Sequence, residues 1–176
     1  MKQNLLIVSY DYNLSKEVAK ILANVFSMRI FDQRELFEFD HLPLTFTEVI
    51  DRNGYDYVLK KMKSIIKMEL DFDDAVFVAD MCFAENCEDI FYKIQLSNFV
   101  VFLYKNTTFE LEELRNKEYS SGFEKDFYVV DEEKHECRKS KLQKLCSDIK
   151  LDVTNLTYEE ITNKIIDEIK QYYSMN

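Results

Sequence analysis

Glycine and proline are almost missing from this chain. It has two glycines, Gly54 and Gly122, and one proline, Pro43. Loops that cradle phosphate use glycine for positive φ and for close backbone approach, so little material for such a loop exists. Long apolar runs are also missing. The longest, such as Phe99 to Tyr104, are far too short to span a bilayer. The start, Met1-Lys2-Gln3-Asn4, meets only four apolar residues before polarity returns, so no secretory signal peptide is expected. The four cysteines (Cys82, Cys87, Cys137, Cys146) do not define a disulfide framework. Neither Cys82 with Cys87 nor His135 with Cys137 has the spacing of a structural zinc site, so no metal is expected.

What is present describes a soluble protein. The 176 residues are 47% hydrophobic and 32% charged, enough for one domain with a real core. Formal net charge is −10, from 33 acidic and 23 basic side chains. That balance repels nucleic acid and anionic membranes, and neither is expected as a partner. A cytoplasmic location is expected. The 14 phenylalanines and 11 tyrosines would supply anchors for a protein partner, although most belong in the core.

Hydrophobic periodicity predicts alternating strands and helices. Leu5-Leu6-Ile7-Val8 reads as a strand buried on both faces. Asn13 to Phe26 carries Leu14, Val18, Ile21, Leu22 and Val25 on one stripe, with Asn13 the expected N-cap. A short strand at about 28–31 follows, then about three helices between 33 and 68, punctuated at Gly54. Strands are expected at 75–79 and 99–103, with helices at about 84–93 and 107–117. The stretch 118–130 reads as a lid, followed by a helix over 131–146 and a strand at 149–153. Thr157 with Glu160 forms a capping box before Ile161, Ile165 and Ile169. Strands alternating with helices imply right-handed crossovers. The expectation is one α/β domain over 1–176, a three-layer αβα sandwich with a parallel sheet of about five strands.

This order of elements, with Phe31-Asp32 closing the second strand and Ser147-Asp148-Ile149 leading into Leu156-Thr157-Tyr158-Glu159-Glu160-Ile161, resembles the shikimate kinases, a P-loop small-molecule kinase family. The resemblance implies a G-x-x-x-x-G-K-[ST] loop after the first strand. The matching stretch is Ser9-Tyr10-Asp11-Tyr12-Asn13-Leu14-Ser15-Lys16. Both glycines are replaced, and the lysine and hydroxyl positions hold Ser15 and Lys16 in swapped order. Side chains at Tyr12, Asn13 and Leu14 hinder the wrapping that aims N–H groups at phosphate. The Asp11 charge near an anion would cost roughly 1–4 kcal/mol at about 4 Å.

The family's Asp-x-Asp appears as Asp32-Gln33-Arg34. Asp32 matches the carboxylate implied to lie near magnesium, and reads equally as an acid at a helix N-terminus. Arg34 replaces the implied base and cannot act as one, because it stays protonated. The substrate-gripping arginine falls at about Leu59, with Lys60 and Lys61 nearby. The glycine triplet becomes Met81-Cys82-Phe83, and the lid arginine-proline has no counterpart in 118–123. A late substrate arginine falls on Lys139 or, shifted by one, Arg138. Asp80 ends an apolar strand in the manner that holds magnesium in many P-loop proteins. With Asp11 and Asp32 it would place three carboxylates at strand C-termini, where open α/β sheets bind ligands.

The expectation is thus a kinase-like protein without kinase chemistry, kept for a binding or structural role. Ser15, Lys16, Asp32 and Asp80 would be vestiges of a nucleotide and metal site. Arg34, Arg138 and Lys139 would be vestiges of a substrate site, and no cofactor is expected. The alternative is a divergent active shikimate kinase or related small-molecule kinase, which would need Mg and ATP. No second catalytic constellation is visible, since His41 and His135 have no evident nucleophile beside them.

Overall fold

Alternation of side chains across β1 (Asn4–Ser9) divides the protein into two cores. All six residues are buried. Leu6 and Val8 face one helix layer, and Leu5 and Ile7 face the other, as period-two geometry requires. A computed structural model describes residues 3–79, 88–119, 125, 129–145 and 148–175.

The chain continues through α1 (Tyr12–Phe26), β2 (Arg29–Asp32), α2 (Gln33–Asp40), α3 (Phe46–Asn53), α4 (Tyr55–Glu69) and β3 (Ala75–Ala79). It then forms α5 (Glu88–Ser97), β4 (Asn98–Tyr104), α6 (Thr107–Asn116), α7 (Glu132–Leu145), β5 (Ile149–Asp152) and α8 (Tyr158–Met175). The strands make one parallel sheet in the order β2-β3-β1-β4-β5. This is the expected three-layer α/β architecture. Helices α1 and α8 cover one face with Leu14, Val18, Leu22, Ile161 and Ile165. On the other face, Phe37, Val49, Met62, Ile66, Ile94 and Leu142 come from α2 to α5 and α7. The continuous apolar runs of β1, β3 and β4 follow from burial on both faces.

Helix ends follow local chemistry. Gly54 has φ +82° and ψ 164°, ending α3 and starting α4, a conformation nearly confined to glycine. The Thr157–Glu160 capping box forms as expected, and Thr45 with Glu48 forms a second. One cap differs from expectation. Asp11, and not Asn13, caps α1, because its carboxylate accepts from the backbone N–H groups of Asn13 and Leu14. Helix therefore begins at Tyr12, two residues earlier than a cap at Asn13 would start it.

Candidate functional site

The C-terminal ends of β1 and β2 gather four of the expected site residues, Ser15, Lys16, Asp32 and Arg34. Only Tyr10 and Asp11 separate β1 from α1. Tyr12, Asn13 and Leu14 are helical, so the connection from β1 forms no wider loop before α1. Asp11 Oδ1 accepts from Asn13 N at 3.1 Å and Leu14 N at 3.4 Å. The carboxylate thus sits on donors that the N-terminus of a helix otherwise offers to an anion. Tyr10 is buried, and its ring centroid lies 4.6 Å from that of His135.

Ser15 is fully buried, and its Oγ makes no hydrogen bond. Lys16 pairs with Glu35 and lies 3.7 Å from Asp32. The Glu35 contact is the main cause of a raised Lys16 pKa, so this ammonium stays charged. Asp32 is the N-cap of α2, accepting from Arg34 N at 3.0 Å and Glu35 N at 3.2 Å. Its Oδ2 accepts from the Tyr12 hydroxyl. Burial, and then the bond to Asp32, push the Tyr12 hydroxyl far above its usual pKa. The Arg34 guanidinium lies 4.6 Å from the ring centroids of both Tyr12 and Phe46, a stacked position that suits its flat, weakly hydrated cation. Tyr12, Lys16, Asp32 and Arg34 therefore form one cluster.

Arg138 and Lys139 belong to a different one. Lys139 is buried, whereas a cation on an exposed helix would be the ordinary reading of its sequence position. Its Nζ donates to the Lys105 carbonyl and to Thr107 Oγ1, both at 2.9 Å, and lies 5.4 Å from the Tyr104 ring centroid. Arg138, its neighbour on α7, is partly exposed. Lys60 and Lys61 are exposed on α4, and Lys61 lies 5.8 Å from the Tyr57 ring centroid. Asp80 and Met81-Cys82-Phe83 lie outside the described residues, as does most of the expected lid. Of the three carboxylates expected at strand ends, Asp11 and Asp32 are committed to helix caps. Among the described residues, no group of three or more His, Cys, Asp or Glu side chains could hold a metal.

Three polar pairings were not legible in the sequence. His135 Nε2 lies 2.9 Å from Glu110 Oε2, both side chains being buried. Gln33 Nε2 donates to Glu69 Oε2 at 2.9 Å. His41 bonds the Phe37 carbonyl at 2.7 Å and the Tyr57 hydroxyl at 3.0 Å. Only the last had a local signal, the i, i+4 spacing of Phe37 and His41.

The sequence matches no protein-family model and no curated protein. Solved structures are more informative. Shikimate kinase from Aquifex aeolicus superposes with a TM-score of 0.79 at 14% identity, covering 97% of this chain and 98% of that one. Shikimate kinase from Acinetobacter baumannii, in complex with shikimate, gives 0.78 at 13% identity, covering 98% and 95%. The YorR protein of Bacillus subtilis, in complex with phosphorylated GDP, gives 0.59 at 16% identity, covering 97% and 98%. At such identities the likeness is one of fold, and the fold of this chain is that of the shikimate kinases and related P-loop kinases.

Proposed function

We propose that this chain is a non-catalytic protein of shikimate-kinase fold, which binds without transferring phosphate. The two-residue connection from Ser9 to Tyr12, capped by Asp11, carries the reading. A nucleotide phosphate at the head of α1 would have to displace Asp11 from the N–H groups of Asn13 and Leu14. Losing such a cap costs about 1 kcal/mol, and the displaced carboxylate would still repel the phosphate. No glycine is there to open the turn. Arg34 stands where the resemblance implies a base and cannot accept a proton. The Lys139 ammonium, at the position of an implied substrate cation, is already occupied by Lys105 and Thr107. Phosphoryl transfer depends on positioning and charge stabilisation, and these are the parts that have changed.

One observation favours a divergent active kinase. Lys16 and Asp32 remain side by side, 3.7 Å apart, the pair such an enzyme would use for phosphate and magnesium. Thermal unfolding with Mg·ATP, Mg·ADP and shikimate, singly and together, separates the readings. A ligand at 100 times its Kd adds about 2.7 kcal/mol to stability, so binding is easily seen. We expect no shift with nucleotide and no shikimate-dependent ADP formation. A saturable Mg·ATP shift accompanied by turnover would establish the active kinase instead.

A further inference from the structure

Helix α4 reverses the charge of the chain around it. Its exposed lysines, Lys60, Lys61 and Lys67, stand against one exposed acid, Asp56, in a protein whose net charge is −10. Lys63, on another side of the helix, pairs with Asp89 of α5 at 3.6 Å. Among the described residues, none of the exposed three forms an ion pair. Lys60 and Lys67 lie two turns apart on one face, roughly 10 Å at the helical rise per residue. Lys61 and Ser64 carry that face into a groove of about 240 Å³ between α4 and α2.

The groove is apolar inside and open to water. Phe37 and Ile65, both buried, lie at its base. Phe39 of α2 and Met68 of α4 line it at 73% and 43% exposure. Phe39 is the most exposed large hydrophobic side chain among the described residues. Scattered exposed apolar residues are ordinary, but an open aromatic and a methionine in one groove, beside unpaired cations, have the composition of a docking face. The one carboxylate on the groove wall, Asp40, belongs to α2. An incoming acid is therefore repelled at the α2 edge and attracted along α4. The Asp32 cap and Arg34 stand at the opposite end of α2 from Phe39, so this face is separate from the cluster at the strand ends.

We infer that this face docks an acidic amphipathic helix of a partner protein, with carboxylates seven residues apart meeting Lys60 and Lys67 while its apolar stripe covers Phe39 and Met68. Two packed helices leave a groove that the side-chain ridge of a third enters. Equal spacing on the two facing helices lets both carboxylates pair at once, and apolar residues three and four positions after the first acid then fall over the groove. A second copy of this chain suits the face less well. Its α8 carries exposed Glu160 just before the helix and Asp167 within it, at that spacing, but Ile161, Ile165 and Ile169 are buried in the chain's own core. The inference goes beyond the reading of the α1 head and holds whether or not nucleotide binds there.

Fluorescence anisotropy of the full chain with a labelled helical peptide of about 15 residues tests it. The peptide carries Glu at its first, eighth and last positions, a Leu-Phe pair midway between successive acids, and Ala or Gln elsewhere; a counterpart carries Lys for each Glu. We expect saturable binding of the acidic peptide with Kd on the order of 10–100 μM, and binding at least about tenfold weaker for the counterpart. Lys60→Glu combined with Lys67→Glu should weaken binding about tenfold or more, and Phe39→Ala by about tenfold. All three side chains are exposed, so these losses do not pass through folding. Lys164→Glu combined with Lys170→Glu on α8 makes the same change of net charge and should weaken binding no more than about twofold. No saturable binding, equal affinity for the two peptides, or equal loss from the α4 and α8 variants overturns the inference. Self-association of the chain alone in sedimentation, abolished by the paired α4 substitution, would also overturn it, by assigning the face to a second copy.

Discussion

Glu69 carries a carboxyl group that is almost wholly removed from water between α4 and α2. Gln33 donates to its Oε2 at 2.9 Å, while its Oε1 has no partner. Burial, partly offset by the Gln33 bond, pushes its pKa from an ordinary 4.5 up to about 8. Because the folded value is raised, its contribution to stability is complete below pH 4.5 and is lost as pH rises through about 8. Glu69→Gln keeps an acceptor for Gln33 and removes the proton linkage. We expect this variant to flatten the stability profile between those limits. At pH 9 it should exceed the parent by on the order of 2–4 kcal/mol; urea unfolding at pH 6 and pH 9 measures the difference. Glu69 stands between Met68 and Leu70, one turn beyond the buried Ile65 and Ile66 of α4, so the helical stripe places it inward, but its partner, Gln33 of α2, is supplied by the tertiary packing.

At the scale of elements, α7 shows how far pattern alone reaches. Its span was legible at 131–146, close to the observed Glu132–Leu145, because charged helix formers fill it. How it attaches was not legible. Leu142 is its one fully buried apolar side chain among the described residues. His135 pairs with Glu110 and Lys139 with Thr107 and the Lys105 carbonyl, tying α7 to α6 and β4. Breaking a buried polar pair from one side strands its partner. His135→Leu should therefore destabilise the protein by roughly 3 kcal/mol, and Glu110→Leu by a similar amount. The double variant should cost clearly less than the sum of the two, since neither polar group is then left alone. Additive losses in a urea-denaturation double-mutant cycle would contradict that coupling. The head of α1 makes a similar point. Apolar spacing places the helix correctly, but choosing between Asp11 and Asn13 as cap depends on where β1 releases the chain.

For the molecule as a whole, the acidic excess is a distributed force. A net charge of −10 on 176 residues makes the compact state repel itself, and salt screens that repulsion over a Debye length of about 10 Å at 0.1 M. Exposed ion pairs such as Lys20–Glu17 lose strength at the same time, but each is worth little. The melting temperature should rise as sodium chloride goes from roughly 20 to 300 mM, a range over which the screening length shortens severalfold. A fall across that range would mean that specific ion pairs outweigh the net repulsion.

The sequence by itself determined the layers and their order. Continuous apolar runs in Leu5–Val8, Ala75–Ala79 and Phe99–Leu103 can be satisfied only in a sheet covered on both faces, and the stripes between them demand helices as the covers. It also determined that no glycine stands between Ser9 and Lys16, since that is a matter of residue identity. Tertiary structure alone decided which polar groups meet. Glu110 and His135 are 25 positions apart, and Gln33 and Glu69 are 36 apart. Hydrophobic burial is written locally as a period along the chain, whereas a buried hydrogen bond depends on the relative placement of two elements, which no period in either of them encodes.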